Sequence, residues 1–496
     1  MRTTELLRHE WTVFRTRRRI VAMTAAILAT VLLGLLLAYG VGSRSTCSEG
    51  PVEVPCPTEL VGDTFYFAHR PLGENGSITV RMTSMTGIIT YPPPDHDEIV
   101  PGLVPWAKAG IIIKDGLTQG SSYAALMVTG AHGVRMQHDY THDTAGRPGG
   151  VSPQSPRWLR LTRAGDTIAG YESADGTQWT KVGTARLAGL PATVQVGLFA
   201  ASPGDLTLKR VALGGSITES RFAQATATFD QIGLAGAPTG AWAGDSVGEM
   251  GHTDWEKYHR APGVVESNGA LTVTGTGDIG PVGTAGSHSA ESNLAGLAIS
   301  MIIVIVVAVR FVTAEPPTGR VLAAKAIVVG AVALIVGLIS AAIVIPVGTR
   351  ILRANGLDVI PVPALTGLRV VIGVAALLAI VAVLAVAVAT LVRRAWVAIP
   401  VMLALVVLPY VVAALPLLPD GVAEWLLRLT PAAGFAVRQT IHEYPQVLAH
   451  YAPSEGYFPL PWWAGLAVLG GYTAATLALA AARLRQRTAA AQPAWR

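Results

Sequence analysis

The chain has 496 residues, of which 51% are hydrophobic and only 14% charged, with a mean hydropathy of +0.45. That composition excludes an ordinary soluble enzyme of this length. The net charge of +5 does not point to nucleic acid, because the basic residues cluster beside apolar runs.

Residues 1–19 read as a cytoplasmic amphipathic interfacial helix: Leu7, Trp11 and Phe14 recur at i, i+4 and i+7, with Arg8 and Arg15 between them. Residues 20–41 follow as a first transmembrane helix. Ala38-Tyr39-Gly40 loosely imitates a signal-peptidase site, but the apolar run exceeds the ~7–15 residues of such a peptide, which favours an uncleaved anchor. Residues 42–58 form a stalk carrying Cys47 and Cys56. An even count of cysteines, in a short segment on the outer side of a membrane, favours a disulfide.

From 59 to 282 the character changes. Apolar and polar residues alternate in Ile78–Thr83, Val134–Tyr140 and Val194–Leu198, the period of half-buried strands. Asp175-Gly176 marks a hairpin. Many short strands joined by Gly/Pro-rich turns predict an antiparallel β-sandwich. Trp106, Trp158 and Trp179 are possible glycan-stacking residues, although Trp in a sandwich commonly packs in the core. No carboxylate pair is set up for glycoside hydrolysis, and neither the acidic run Asp95–Glu98 nor His132, His138 and His142 has convincing metal-ligand spacing. No metal or cofactor is expected in this chain.

After a linker at 283–293, residues 294–482 hold five further apolar runs: 294–309, 326–347, 370–391, 396–415 and 463–482. Each approaches the ~20 residues needed to cross a hydrocarbon layer. None carries an acidic or basic side chain in its interior, so the ion-driven transport that depends on such groups is not encoded there. Pro400 and Pro409 would bend the fifth span. Arginine and lysine crowd one side of the spans: Arg15 to Arg19, Arg310, Arg320 and Lys325, Arg393 and Arg394, then Arg483 to Arg487 in the tail 483–496. By the positive-inside rule both termini are cytoplasmic and the strand-rich block lies outside. The expected fold class is thus a multi-domain membrane protein, six transmembrane helices with a large extracytoplasmic antiparallel β-sandwich inserted between helices 1 and 2. Only six of the 37 basic residues are lysine, a bias suggesting a GC-rich bacterial genome.

Two stretches resemble known families. Trp106–Asp115, Tyr123–Thr129, Trp158–Leu161 and Ser173–Trp179 resemble, in order and spacing, the concanavalin-like lectin/glucanase sandwich. The loop Arg310–Ala326, with Glu315 followed by Arg320-x-Leu322-x-x-Lys325, resembles the cytoplasmic loop of ABC-2 type exporter permeases. Trp425–Phe435 resembles the apolar re-entrant hairpin before their last span, and together the likeness covers residues 1–45 and 290–496. Pro316-Pro317 departs from the basic helical stretch common in that loop. The resemblance implies a permease subunit that exports an unidentified substrate, paired as a homo- or heterodimer in membrane lipid. It also implies a separate ABC ATP-binding subunit that holds the ATP, touching this chain at Glu315, Arg320 and Lys325. The sequence itself lacks Gly-x4-Gly-Lys-Ser/Thr, the phosphate loop for ATP. A second reading is a membrane-anchored protein that binds cell-wall glycan through its sandwich.

Overall fold

The computed structural model describes residues 3–40, 61–91, 98–236, 241–248, 262–282, 288–355, 357 and 359–490. A β domain precedes most of the helices, and six helical segments among these residues are long and apolar enough to cross a membrane. The helices are α1 (Thr3–Phe14), α2 (Arg17–Gly40), α3 (Leu297–Ala314), α4 (Gly319–Ala354), α5 (Ala364–Val392), α6 (Ala395–Met402), α7 (Leu408–Ala414), α8 (Asp420–Leu429) and α9 (Trp462–Ala490). Cys47 and Cys56, and with them the expected disulfide, lie outside the described residues.

Most helices run past the apolar segments that announce them. The 36-residue α4 extends beyond 326–347 at both ends, starting on an exposed Gly319-Arg320. α6 and α7 are joined by a π-helical turn at Leu403–Val407, three residues beyond Pro400 and just before Pro409. A proline inside a helix removes one backbone hydrogen bond, and the widened turn accommodates that loss. Small residues let the helices approach closely. A Cβ on Gly296 would lie 2.5 Å from the Ala29 carbonyl oxygen, and one on Gly337 would lie 2.6 Å from Ala375 Cα. Thr30 and Ser300 share a 2.5 Å hydrogen bond across the α2–α3 contact.

The β domain is two packed antiparallel sheets, one of nine strands and one of seven. Ile78, Val80, Met82, Leu159 and Leu161 from the first meet Ile111, Ile113, Leu126 and Leu198 from the second in a fully buried core. The Asp175-Gly176 turn lies where the sequence places it, between strands Thr167–Ser173 and Thr180–Arg186. The Asp175 carboxylate accepts the backbone N–H groups of Thr177 and Gln178, which hold its pKa well below the usual range. Gly176 needs to be glycine, having φ +78° and standing where a Cβ would come within 2.7 Å of the Trp158 ring.

One feature of the sandwich departs from the half-buried pattern. Strands Lys108–Lys114 and Tyr123–Thr129 are buried at every residue, on both faces. Their second face carries Ile112, Tyr123, Ala125 and Met127, packed with Phe65, Phe67, Phe199 and Ile279. The cover is the chain's own entry and exit: Gly62–Asp63 pairs with Ile279–Gly280 as a short ribbon.

Ion pairs seal that ribbon. Lys114 Nζ lies 2.7 Å from Asp63 Oδ2, both side chains fully buried, and Tyr140 donates to the same oxygen at 2.8 Å. Lys108 Nζ donates at 2.5 Å to both Asp278 Oδ1 and the Ile279 carbonyl. Burial pulls the Lys114 pKa below its ordinary value despite Asp63, and burial together with Asp63 pushes the Tyr140 phenol well up.

Removing one member leaves the other charge buried and alone. Asp63→Asn should cost about 3–5 kcal/mol, whereas Asp63→Leu with Lys114→Met should recover most of it. Without Asp63 the Lys114 pKa falls further, so the native state binds fewer protons than the unfolded one. The stability of Asp63→Asn should therefore rise as pH climbs towards the ~10.4 of an unfolded lysine, more steeply than that of the parent. Thermal unfolding of the detergent-solubilised variants across that range is the check.

Candidate functional site

Charged side chains converge at two ends of the helical domain, and the first convergence involves the N-terminal helix. Glu10 and Phe14 are the buried residues of α1; Leu7 packs partly against the same core, and Trp11 remains 43% exposed. Helix α1 therefore does not lie with all of Leu7, Trp11 and Phe14 on one free apolar face. Its inward side docks on α4 and on the end of α3, because Phe14 has a protein partner there: Phe311, edge-on at 5.2 Å.

Phe311 is held between two cations. Arg19 stands 4.8 Å from its ring centre and Lys325 Nζ 4.0 Å. Lys325 is 1% exposed, 2.9 Å from Glu10 and 3.8 Å from Glu315. Of the three residues expected at a partner contact, Lys325 is thus withdrawn inside, spent on Glu10. Glu315 and Arg320 remain exposed. Glu10 escaped the sequence reading, as did the meeting of Arg19 and Phe311 with Lys325. The signal for Glu10 was available: it falls at i+3 from Leu7, inside the stripe, and an acid on a buried stripe requires a cation opposite.

The second convergence lies at the other end. Arg438, 5% exposed, donates to the Glu291 backbone carbonyl at 2.9 Å and to the Tyr410 hydroxyl. Glu291, 3% exposed, accepts from the Thr440 hydroxyl, and Arg369 donates to the Gln439 carbonyl. These groups border the apolar runs without interrupting them, so the expectation of charge-free runs and the buried charges coexist. The segment Pro431–Arg438, every residue buried, supplies Arg438 and packs on α9 and α5. Gly465 permits that contact, since a Cβ there would meet the Ala433 carbonyl oxygen at 2.1 Å.

The sandwich rests on this end. Gly215 approaches the backbone of Pro416 so closely that a Cβ would fall 2.0 Å from its carbonyl oxygen. Leu448 packs against Ile89, Val104, Ala107, Ala223 and Ala225 of the β domain, and Gln446 donates to the Thr141 carbonyl at 3.3 Å. Between the two domains lies a cavity of about 730 Å³, with Asp139, Tyr140 and Thr141 on the sandwich side and Arg369, Thr440 and Trp462 on the helical side.

The tryptophans named for glycan stacking do not share one surface. Trp106 is 4% exposed and stacked on His132 at 4.0 Å. Trp158 and Trp179 are half-buried on the nine-stranded sheet, with the Arg81 guanidinium 6.0 Å from the first ring and that of Arg160 3.8 Å from the second. His138 and His142 stack in parallel at 4.2 Å. Among the described residues no three His, Cys, Asp or Glu side chains group as metal ligands.

No family model matches the sequence, and no curated protein matches it. Solved structures align with less than half of the chain. A functionally unknown protein from Saccharomyces cerevisiae is 16% identical, covering 40% of this chain and 85% of its own, with a TM-score of 0.22. Scytalido-glutamic peptidase with a transition state analog inhibitor is 8% identical, covering 43% of this chain and 98% of its own, at 0.26. A GH43 protein from Bacillus licheniformis is 16% identical, covering 26% of this chain and 24% of its own, at 0.17. Overlaps of this size carry no argument about what this chain does.

The Glu10–Lys325 pair generates a direct expectation. Lys325→Met strands a buried carboxylate and should loosen α1, so trypsin should cut at Arg15 several-fold faster in the solubilised protein. The double variant Glu10→Leu with Lys325→Met should regain protection.

Proposed function

We propose that this chain is the membrane-spanning permease subunit of an ATP-driven exporter in a bacterial cytoplasmic membrane, with both termini inside and the sandwich outside. The observation that carries this reading is the buried pair Glu10–Lys325. It ties α1 to α4 just past the turn that joins it to α3, while Glu315 and Arg320 stay exposed beside that turn. A partner pressing on that turn moves α1, α3 and α4 as a unit, because separating them would leave a charge unpaired in an apolar setting. Coupling of this kind suits a transporter whose energy comes from another polypeptide.

That polypeptide is an ATP-binding subunit, for this sequence has no Gly-x4-Gly-Lys-Ser/Thr loop to cradle phosphates. Two permease halves would enclose the path, and the sandwich would roof its outer end. The 730 Å³ cavity beneath the sandwich supports that role, being large enough for a sizeable organic molecule. The alternative, a membrane-anchored protein that binds cell-wall carbohydrate, finds less support. Trp106 is covered, arginines stand over Trp158 and Trp179, and the second face of the seven-stranded sheet is filled by the chain's own ribbon.

Affinity isolation from native membranes should bring down a nucleotide-binding subunit. Glu315→Ala with Arg320→Ala should cut its recovery to about a tenth, the effect of losing ~1.4 kcal/mol of contact. A chain isolated without any such subunit, together with unaltered export by the double variant, would sink this reading.

A further inference from the structure

Three cavities meet at Ile360, which lines all of them. They are the roofed space of about 730 Å³, a crevice of about 280 Å³ between α4 and α5, and a third of about 340 Å³ beside Gly456. Glu291 lines the two smaller ones. Its Oε2 accepts from Thr440, but its Oε1, which is buried, has no hydrogen-bond partner. Arg438 does not relieve it, since that guanidinium is directed to the Glu291 backbone carbonyl and to Tyr410. A buried carboxylate oxygen with nothing to accept from is costly, and the cost disappears if a ligand supplies N–H donors.

The crevice between α4 and α5 has a consistent chemical order. Glu291 is the acid at its buried side, and Pro346, Val362 and Val370 supply apolar wall. Arg350 and Arg353 line it as exposed cations, near the outer end of α4. Immediately beyond, the first turns of α5 expose Leu365 at 81% and Leu368 at 55%, an apolar surface suited to acyl chains.

We propose that this crevice binds the headgroup of a glycerophospholipid carrying a primary ammonium. The phosphate lies between Arg350 and Arg353, the ammonium reaches the Glu291 carboxylate, and the acyl chains run over Leu365 and Leu368. Guanidinium groups match phosphate oxygens in charge and geometry. A primary ammonium offers three N–H donors to a carboxylate. A quaternary ammonium offers none, and a headgroup without a cation brings no ammonium to the Glu291 carboxylate. A volume of 280 Å³ holds such a headgroup but not the tails, which must therefore lie outside. This binding requires neither an ATPase partner nor transport, so it can fail while the permease reading stands, and the reverse.

The test is native mass spectrometry of the full chain in detergent. It is offered phosphatidylethanolamine, phosphatidylglycerol and phosphatidylcholine of identical acyl chains, with soluble glycerophosphoethanolamine as competitor. Phosphatidylethanolamine adducts should exceed the other two several-fold. Glu291→Gln should abolish that preference while leaving some phosphatidylglycerol bound, and Arg350→Ala with Arg353→Ala should lower retention of all three. The soluble headgroup should compete weakly. Equal competition by it would overturn the assignment to a membrane lipid, and equal adducts of the three lipids would overturn the ammonium assignment. Should Glu291→Gln fail to fold, as its melting would reveal, the exposed arginine variant decides: undiminished retention there sinks the proposal.

Discussion

A charge taken out of water needs its counter-charge close by, and in this chain such meetings occur where separately formed pieces join. Asp63 and Lys114 join the segment entering the sandwich to the middle of a sheet. Lys108 and Asp278 do the same for the segment leaving it. Glu10 and Lys325 join the N-terminal helix to the start of α4. In each case apolar packing alone would permit sliding, since one hydrophobic contact replaces another at little cost. An ion pair in an apolar setting permits one register. The rigidity of the arrangement rests on that difference.

The sandwich is consequently no pendant on a flexible tether. Its entry and exit lie together as a two-stranded ribbon across one sheet, stapled by two lysines, and its base meets the helical domain at Gly215, Thr141 and the cluster around Leu448. A displacement of the helices beneath would reach the sandwich through firm contacts. Those contacts place the sandwich directly over the cavity between the two domains.

The same ribbon changes what the sandwich can do. A sheet face free to water could offer aromatic platforms to a ligand, but here Phe65, Phe67, Ile112 and Phe199 are consumed in holding the chain's own segment. On the helical side of the boundary Glu291 keeps one buried oxygen without a partner, in a crevice also lined by Arg350 and Arg353.

What the sequence by itself determined is everything carried by neighbours along the chain: the apolar runs and their lengths, the alternation of Ile78–Thr83 and Val194–Leu198, the Asp175-Gly176 turn, the prolines that distort the fifth span. Each depends on hydrogen bonds and exposure within a few residues, so the local order of side chains is enough to announce it. Tertiary structure alone decided that Lys325 turns inward to Glu10, that Phe14 meets Phe311, that a ribbon covers the seven-stranded sheet, and that Glu291 is left with an open oxygen. Those outcomes depend on which distant segment arrives opposite a given side chain. The free energy of a buried charge or ring is set by that arrival and by nothing in its own stretch of sequence.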